Sequence, residues 1–217
     1  MTDQTETKAT RSRRRLLRVM GGVLAAVGVA GVAQAQGQKV DSPGKGRHGG
    51  RHDSRHRAMH EAMARQQIME LRHAYGIATD LVGKNTPEGI EAGRAIYRRI
   101  FTADASIGAA GVDSVKGPDA WVDIVKGALA PYNATQHLIG TQYITNLVVP
   151  DRPRAGGSAH MSSYLQAWHS NADGNLWLFM GTYEDDLTWS EESGWQIKAM
   201  MLNQVASDYR SLGKRPD

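Results

Sequence analysis

The sequence predicts an α+β fold: about three helices on one face of a curved antiparallel sheet of four long strands plus a short one. Three observations carry this expectation. Apolar residues recur at three- and four-residue steps as far as about residue 130. From His137 onward the period falls to two. Asn171-Ala172-Asp173-Gly174 and Glu191-Glu192-Ser193-Gly194 then read as hairpin turns within a meander. Helices followed by a run of strands place the helices on one face of one sheet.

The first helix is expected to start between Ser54 and Met59 and to run to about Val82. Ile68, Leu71, Tyr75, Ala78 and Val82 form one apolar stripe, and Gly83-Lys84-Asn85 stops it. Thr86-Pro87-Glu88 opens a second helix, with Thr86 as N-cap and Pro87 in the first turn. It carries Ile90, Ala95, Ile96 and Ile100 to Phe101. A short extended piece, 105–109, follows. Gly117-Pro118-Asp119 begins a third helix over 120–129, with Trp121, Ile124, Val125 and Leu129 inward. Four strands are expected at 137–149, 158–170, 175–189 and 194–205.

The segments ahead of this domain read differently. Residues 1–35 contain Ser12-Arg13-Arg14-Arg15-Leu16-Leu17-Arg18, a twin-arginine-type motif, followed by a weakly apolar run and Ala33-Gln34-Ala35. The apolar run is shorter than the about 20 residues a spanning helix needs. A cleaved export signal is therefore expected, with no stable membrane insertion afterwards and a periplasmic or secreted product. Residues 36–58 read as a flexible basic tether broken by glycines; His48, His52 and His56 within it recur every four residues without a partner set for a metal. The folded domain is expected over 59–217.

Charge follows the same division. The chain has 217 residues and a formal charge of +4, yet residues 59–217 hold fourteen Lys/Arg against eighteen Asp/Glu. A mildly acidic folded part offers no footprint for nucleic acid. The absence of cysteine excludes disulfides and thiol chemistry. No Gly-rich phosphate loop, Ser or Cys nucleophile motif or close-set metal-ligand cluster is present, so neither cofactor nor metal is expected.

The candidate site is a set of proton carriers. His137 opens the first long strand, Asp80 lies late in the first helix and His169 ends the second long strand. His169 shares a strand face with Met161, Ser163, Leu165 and Ala167, whereas His160 lies on the opposite face and reads as structural. Trp177, Phe179 and Tyr183 share one face, and with Trp121 they are the candidate substrate contacts. Asp185 and Asp186 read as a solvated strand end. Helical phase leaves one question open: at about 100° per residue, Asp80 falls 180° from Leu71 and 140° from Tyr75.

Several pieces together resemble the SnoaL-like group of the nuclear transport factor two-like superfamily. They are Leu71-Arg72-His73-Ala74-Tyr75 through Asp80, Ile100-Phe101-Thr102-Ala103-Asp104-Ala105, Gly117, Gln136-His137, Gly181-Thr182-Tyr183-Glu184-Asp185, and Gly194-Trp195-Gln196-Ile197. They span about residues 66–205. The resemblance implies a cone-shaped barrel, its strongly curved antiparallel sheet wrapped around about three helices, with a deep apolar pocket, and pairing into a homodimer or homotrimer. Its scytalone dehydratases imply catalytic roles for Asp80, His137 and His169; its bile-acid 7α-dehydratases imply Tyr75, Asp80 and His137. The short strand at 105–109 lacks the dehydratases' second tyrosine, and no basic pocket residue is evident over 198–203.

Removing water from a β-hydroxy carbonyl compound needs a base for the carbon acid and an acid for the leaving hydroxyl. Histidine can do both in turn, and an aspartate behind it fixes its tautomer. The expectation is an exported, cofactor-independent lyase of dehydratase type acting on a small hydrophobic hydroxy-carbonyl substrate. The alternatives are an isomerase or cyclase with the same site, or a non-catalytic module binding a hydrophobic ligand.

Overall fold

A computed structural model describes residues 49–151 and 156–211. The expected export signal, and the tether as far as residue 48, lie outside the described residues. Helix α1 spans Gly49–Val82, α2 Pro87–Ile100 and α3 Pro118–Leu129. The strands are β1 Phe101–Ala109, β2 Val112–Lys116, β3 Ala134–Val148, β4 Gly157–Ser170, β5 Asn175–Ser190 and β6 Gly194–Ser211. Together they give the α+β class: three helices against one curved six-stranded sheet of order β2-β1-β6-β5-β4-β3.

Three departures from expectation have local causes. Helix α1 starts at Gly49, because neither Gly nor Pro interrupts the chain from Arg51 to Tyr75. The sheet is mixed: β1 runs parallel to β6, with Phe101 opposite Ile197 and Ile107 opposite Met200. An antiparallel meander ending in β6 would leave an open edge, and β1 covers it. Strand β2 folds back on β1 through a turn at Gly111, whose φ of 79° is left-handed.

Capping follows the sequence more closely. The Thr86 hydroxyl accepts from the backbone N–H of Gly89, 3.1 Å away, and Pro87 fills the first turn of α2. After α1, Asn85 takes a left-handed φ of 57°. Its side-chain amide donates to the carbonyls of Gly83, Leu129 and Tyr132, which ties the end of α3 to the end of α1.

Helix α1 is buried on two faces, not one. Ile68, Arg72, Tyr75, Ala78, Thr79 and Val82 are buried in the core between helices and sheet. Gly76 and Asp80, one turn apart, face β3: a Cβ at Gly76 would stand 3.4 Å from the carbonyl oxygen of His137. On the sheet, β4 and β5 stay in register along their length, so His169, Ala167, Leu165, Ser163 and Met161 lie opposite Trp177, Phe179, Gly181, Tyr183 and Asp185. These residues form the concave, helix-facing side.

Asp185 corrects one expectation. It is fully buried, not part of a solvated strand end. Its carboxylate accepts from Nη2 of Arg72 and, at 3.1 Å, from Nε of Arg72. The guanidinium lies over the rings of Tyr75 and Tyr183, 4.6 and 4.0 Å from their centroids. Burial raises the Asp185 carboxyl above its ordinary range, against the pull of Arg72.

Candidate active site

Asp80 and His137 meet because two elements meet. Gly76 lets α1 approach β3 closely, and the next turn of the helix delivers Asp80 to the first residues of that strand. Asp80 Oδ1 lies 2.8 Å from Nδ1 of His137, and Oδ2 accepts from the His137 backbone N–H at 3.1 Å. The hydroxyl of Thr135 donates to Oδ1 at 3.0 Å. A carboxylate accepts all three bonds, so Nδ1 of His137 donates and Nε2 faces the other way. The His137 side chain is 7% exposed and that of Asp80 25%.

His169 completes the group. In the β3–β4 ladder Thr135 lies opposite His169 and His137 opposite Ala167, so the two histidines are diagonal neighbours on one face. Their ring centroids are 5.4 Å apart, nearly edge to face. Nδ1 of His169 lies 3.3 Å from the carbonyl of Trp177; a carbonyl accepts, so Nδ1 carries the proton. Burial, and then the neighbouring His137, push the pKa of His169 down to about 4, so it is neutral near neutral pH. The two histidines therefore differ: His137 has a carboxylate to steady an imidazolium, while His169 is held as a neutral acceptor or donor.

Tyr75 goes elsewhere. Its hydroxyl accepts from the indole N–H of Trp121 at 3.1 Å, and its ring packs on Tyr97, Phe101 and Tyr183. No described hydrogen bond joins it to Asp80 or His137. The 140° between Tyr75 and Asp80 on the helix is thus kept: one points into the aromatic core, the other at β3. Trp121 and Tyr183, expected as substrate contacts, are 3% and 1% exposed within that same core. Trp177 and Phe179 do lie by the histidines: the Trp177 ring stacks on His169 at 4.6 Å and meets Phe179 edge-on at 5.6 Å. His160 lies on the outer face, as expected, with Nδ1 2.9 Å from Asp186 and Nε2 3.1 Å from Glu184.

Three contributors escape a reading by periodicity. Thr135 precedes the expected start of its strand. Tyr132 sits in the α3–β3 loop, its carbonyl held by Asn85, and its ring lies 5.2 Å from His169 and 5.7 Å from Trp177. Tyr209 stacks on Trp177 at 5.9 Å from a part of β6 beyond the expected strand end.

The fold is similar to several solved structures. A candidate scytalone dehydratase from Novosphingobium aromaticivorans is 16% identical, covering 73% of this chain and 93% of its own, with a TM-score of 0.55. The hexachlorocyclohexane dehydrochlorinase LinA type 3 from Novosphingobium barchaimii is 12% identical over 74% of this chain and 99% of its own, at 0.59. The Kfla4162 protein from Kribbella flavida is 18% identical over 68% and 95%, at 0.53. Likeness at these identities establishes the fold. None of the curated proteins matches the chain by sequence. The profile of the SnoaL-like domain matches residues 60–201, well over half of the chain, and the protein therefore belongs to the SnoaL-like domain family.

Proposed function

We propose that the protein is a cofactor-independent lyase that removes water from a small hydrophobic hydroxy-carbonyl compound by moving protons through His137. The observation that carries this reading is the double hydrogen bond from His137 to Asp80, with neutral His169 beside it. Asp80 holds the imidazole by Nδ1, so Nε2 takes a proton from the carbon next to the substrate carbonyl. The resulting imidazolium, steadied by Asp80, returns a proton to the leaving hydroxyl, and water departs. Positioned acid–base chemistry of this kind is worth about 10²–10⁴-fold; the low-dielectric surroundings of two buried imidazoles strengthen it. The structural likeness to dehydratase-type and dehydrochlorinase-type proteins supports an elimination on grounds of fold. The leader at 1–35 directs the folded protein to export in this reading, and the ligand is a small hydrophobic molecule, not nucleic acid.

A suitable probe is 3-hydroxy-1-tetralone, which loses water to give 1-naphthol, followed by absorbance. Turnover that disappears in His137→Ala while circular dichroism is unchanged supports the lyase. A rearranged product of unchanged mass points to the isomerase alternative. Binding of the probe without any conversion points to a non-catalytic module.

A further inference from the structure

Thr135 stands where three parts of the site meet. It lies two residues before His137 on β3, so the two side chains share a face. In the β3–β4 ladder it is opposite His169. Its hydroxyl donates at 3.0 Å to Asp80 Oδ1, the same oxygen that takes the Nδ1–H of His137 at 2.8 Å. The strand does not require that hydroxyl. Valine has nearly the same shape and suits a strand at least as well.

Gly83 makes the contact possible. A Cβ there would stand 2.5 Å from Thr135 Oγ1 and 3.0 Å from Thr135 Cγ2. A glycine just past a helix commonly serves a left-handed turn, but after α1 that conformation belongs to Asn85, and Gly83 has no positive φ. The Gly83 N–H still bonds the Thr79 carbonyl at 2.9 Å, as a helix continuing by one residue would. What Gly83 supplies is therefore space. Gly76, Asp80 and Gly83 fall at i, i+4 and i+7, one stripe of α1, and that stripe faces the start of β3.

The shared oxygen has a chemical consequence. A donor to a carboxylate is held most strongly while the carboxylate charge is uncompensated. The Thr135 bond is thus strongest when His137 is neutral and weaker when an imidazolium already answers Oδ1. Thr135 therefore opposes Asp80, which favours the imidazolium. Among the described residues, the titratable groups facing His137 are Asp80 from α1 and His169 from β4. His169 is neutral near neutral pH and adds no charge there.

We infer that Thr135, seated by Gly83, is a positioning residue that tempers the grip of Asp80 on the His137 imidazolium, so that the ring can give up the proton it has taken. This deepens the proton-transfer reading, and rests on it, by naming a control on that same site. A base held too firmly in its charged form returns its proton slowly; Thr135 sets that balance from outside the reacting atoms.

The test is a titration, which needs no turnover. The ring ¹³Cε1–H signal of His137, identified by its loss in His137→Gln, is followed against pH in the full chain. Thr135→Val removes the donor and keeps the shape; its midpoint is expected to rise by about 0.3–1 pH unit. Thr135→Ser keeps the hydroxyl and is expected to stay at the wild-type midpoint. Gly83→Ala, on the other element, pushes Thr135 away and is expected to move the midpoint in the same direction as Thr135→Val. Circular dichroism checks the fold of each variant. A midpoint in folded Thr135→Val that is unmoved or lower overturns the inference, as does an equal rise in Thr135→Ser. If Thr135→Val does not fold, an unmoved midpoint in Gly83→Ala overturns it. The expected shifts, in a protein whose wild type catalyses no proton transfer, uphold the control by Thr135 and sink the catalytic reading instead. Proton transfer that depends on His137, with the midpoint of Thr135→Val unmoved, does the reverse.

Discussion

Asp80 grips His137 at two points, accepting from the backbone N–H at 3.1 Å and from Nδ1 at 2.8 Å. One carboxylate thus fixes both the start of β3 and the orientation of the ring it carries. Replacing it with asparagine keeps the shape but introduces a donor where three donors, counting the Thr135 hydroxyl, already point. Asp80→Asn is predicted to lower turnover by about 10²–10⁴-fold with the far-ultraviolet spectrum unchanged. Steady-state kinetics beside circular dichroism would check this.

The Arg72–Asp185 pair tests the core. Both side chains are fully buried, and burial outweighs attraction at the carboxylate. Arg72→Met alone leaves an unpaired acid in the core and is predicted to cost about 3–5 kcal/mol. The double change Arg72→Met with Asp185→Leu is predicted to recover most of that loss, because an apolar pair needs no desolvation. Urea unfolding of the two single variants and the double variant gives the cycle.

His169 gives the fold an acid-sensitive element. Its folded pKa, about 4, lies below the ordinary 6.5, so the unfolded chain binds the extra proton more readily. The contribution is complete above the unfolded pKa and is lost as pH falls from about 6.5 toward 4, by at most about 3 kcal/mol. His160 works in the opposite sense: Asp186, then Glu184, raise its pKa, so its contribution is present at low pH and fades as pH rises. His169→Phe is predicted to flatten the stability profile between pH 4 and 6.5, as read from denaturant midpoints at a series of pH values.

Two helical glycines make a matched pair. At Gly93 a Cβ would stand 2.7 Å from the Ala78 carbonyl oxygen and 2.6 Å from Val82 Cγ2, where α2 crosses α1. At Gly127, in α3, nothing lies within 4 Å. Alanine is favoured over glycine in a helix by about 1 kcal/mol. Gly127→Ala is therefore predicted to stabilise by up to about that amount, and Gly93→Ala to destabilise by about 1–3 kcal/mol. Thermal midpoints that move in opposite directions would bear this out.

Much of this was legible in the chain. The change of period after residue 130 and the turn signals give the helices, the meander and the class, and the setting of His137 marks the first long strand. Asp80 was harder, because a phase argument assumes one buried face per helix. Helix α1 has two, and the clue was Gly76, one turn before Asp80, a glycine inside a helix where another backbone comes close. Asp185 departs from expectation because two adjacent acids suggest solvent. Its phase with Tyr183 and Leu187 pointed inward, but its partner Arg72 lies 113 residues away and no local pattern links them. Tyr132 and Tyr209 depend on loop tethering and on strand register, which local sequence leaves undetermined.

The central claim is that His137 moves a carbon-bound proton with Asp80 behind it. Exchange of the protons next to the carbonyl of 1-tetralone in deuterated water, followed by proton spectra, measures that step alone, before any bond to oxygen breaks. Wild-type protein is predicted to accelerate the exchange above the buffer rate, and both His137→Ala and Asp80→Asn to lose about 100-fold or more of that acceleration. Wild-type exchange no faster than buffer, or full exchange in folded His137→Ala, would contradict the account.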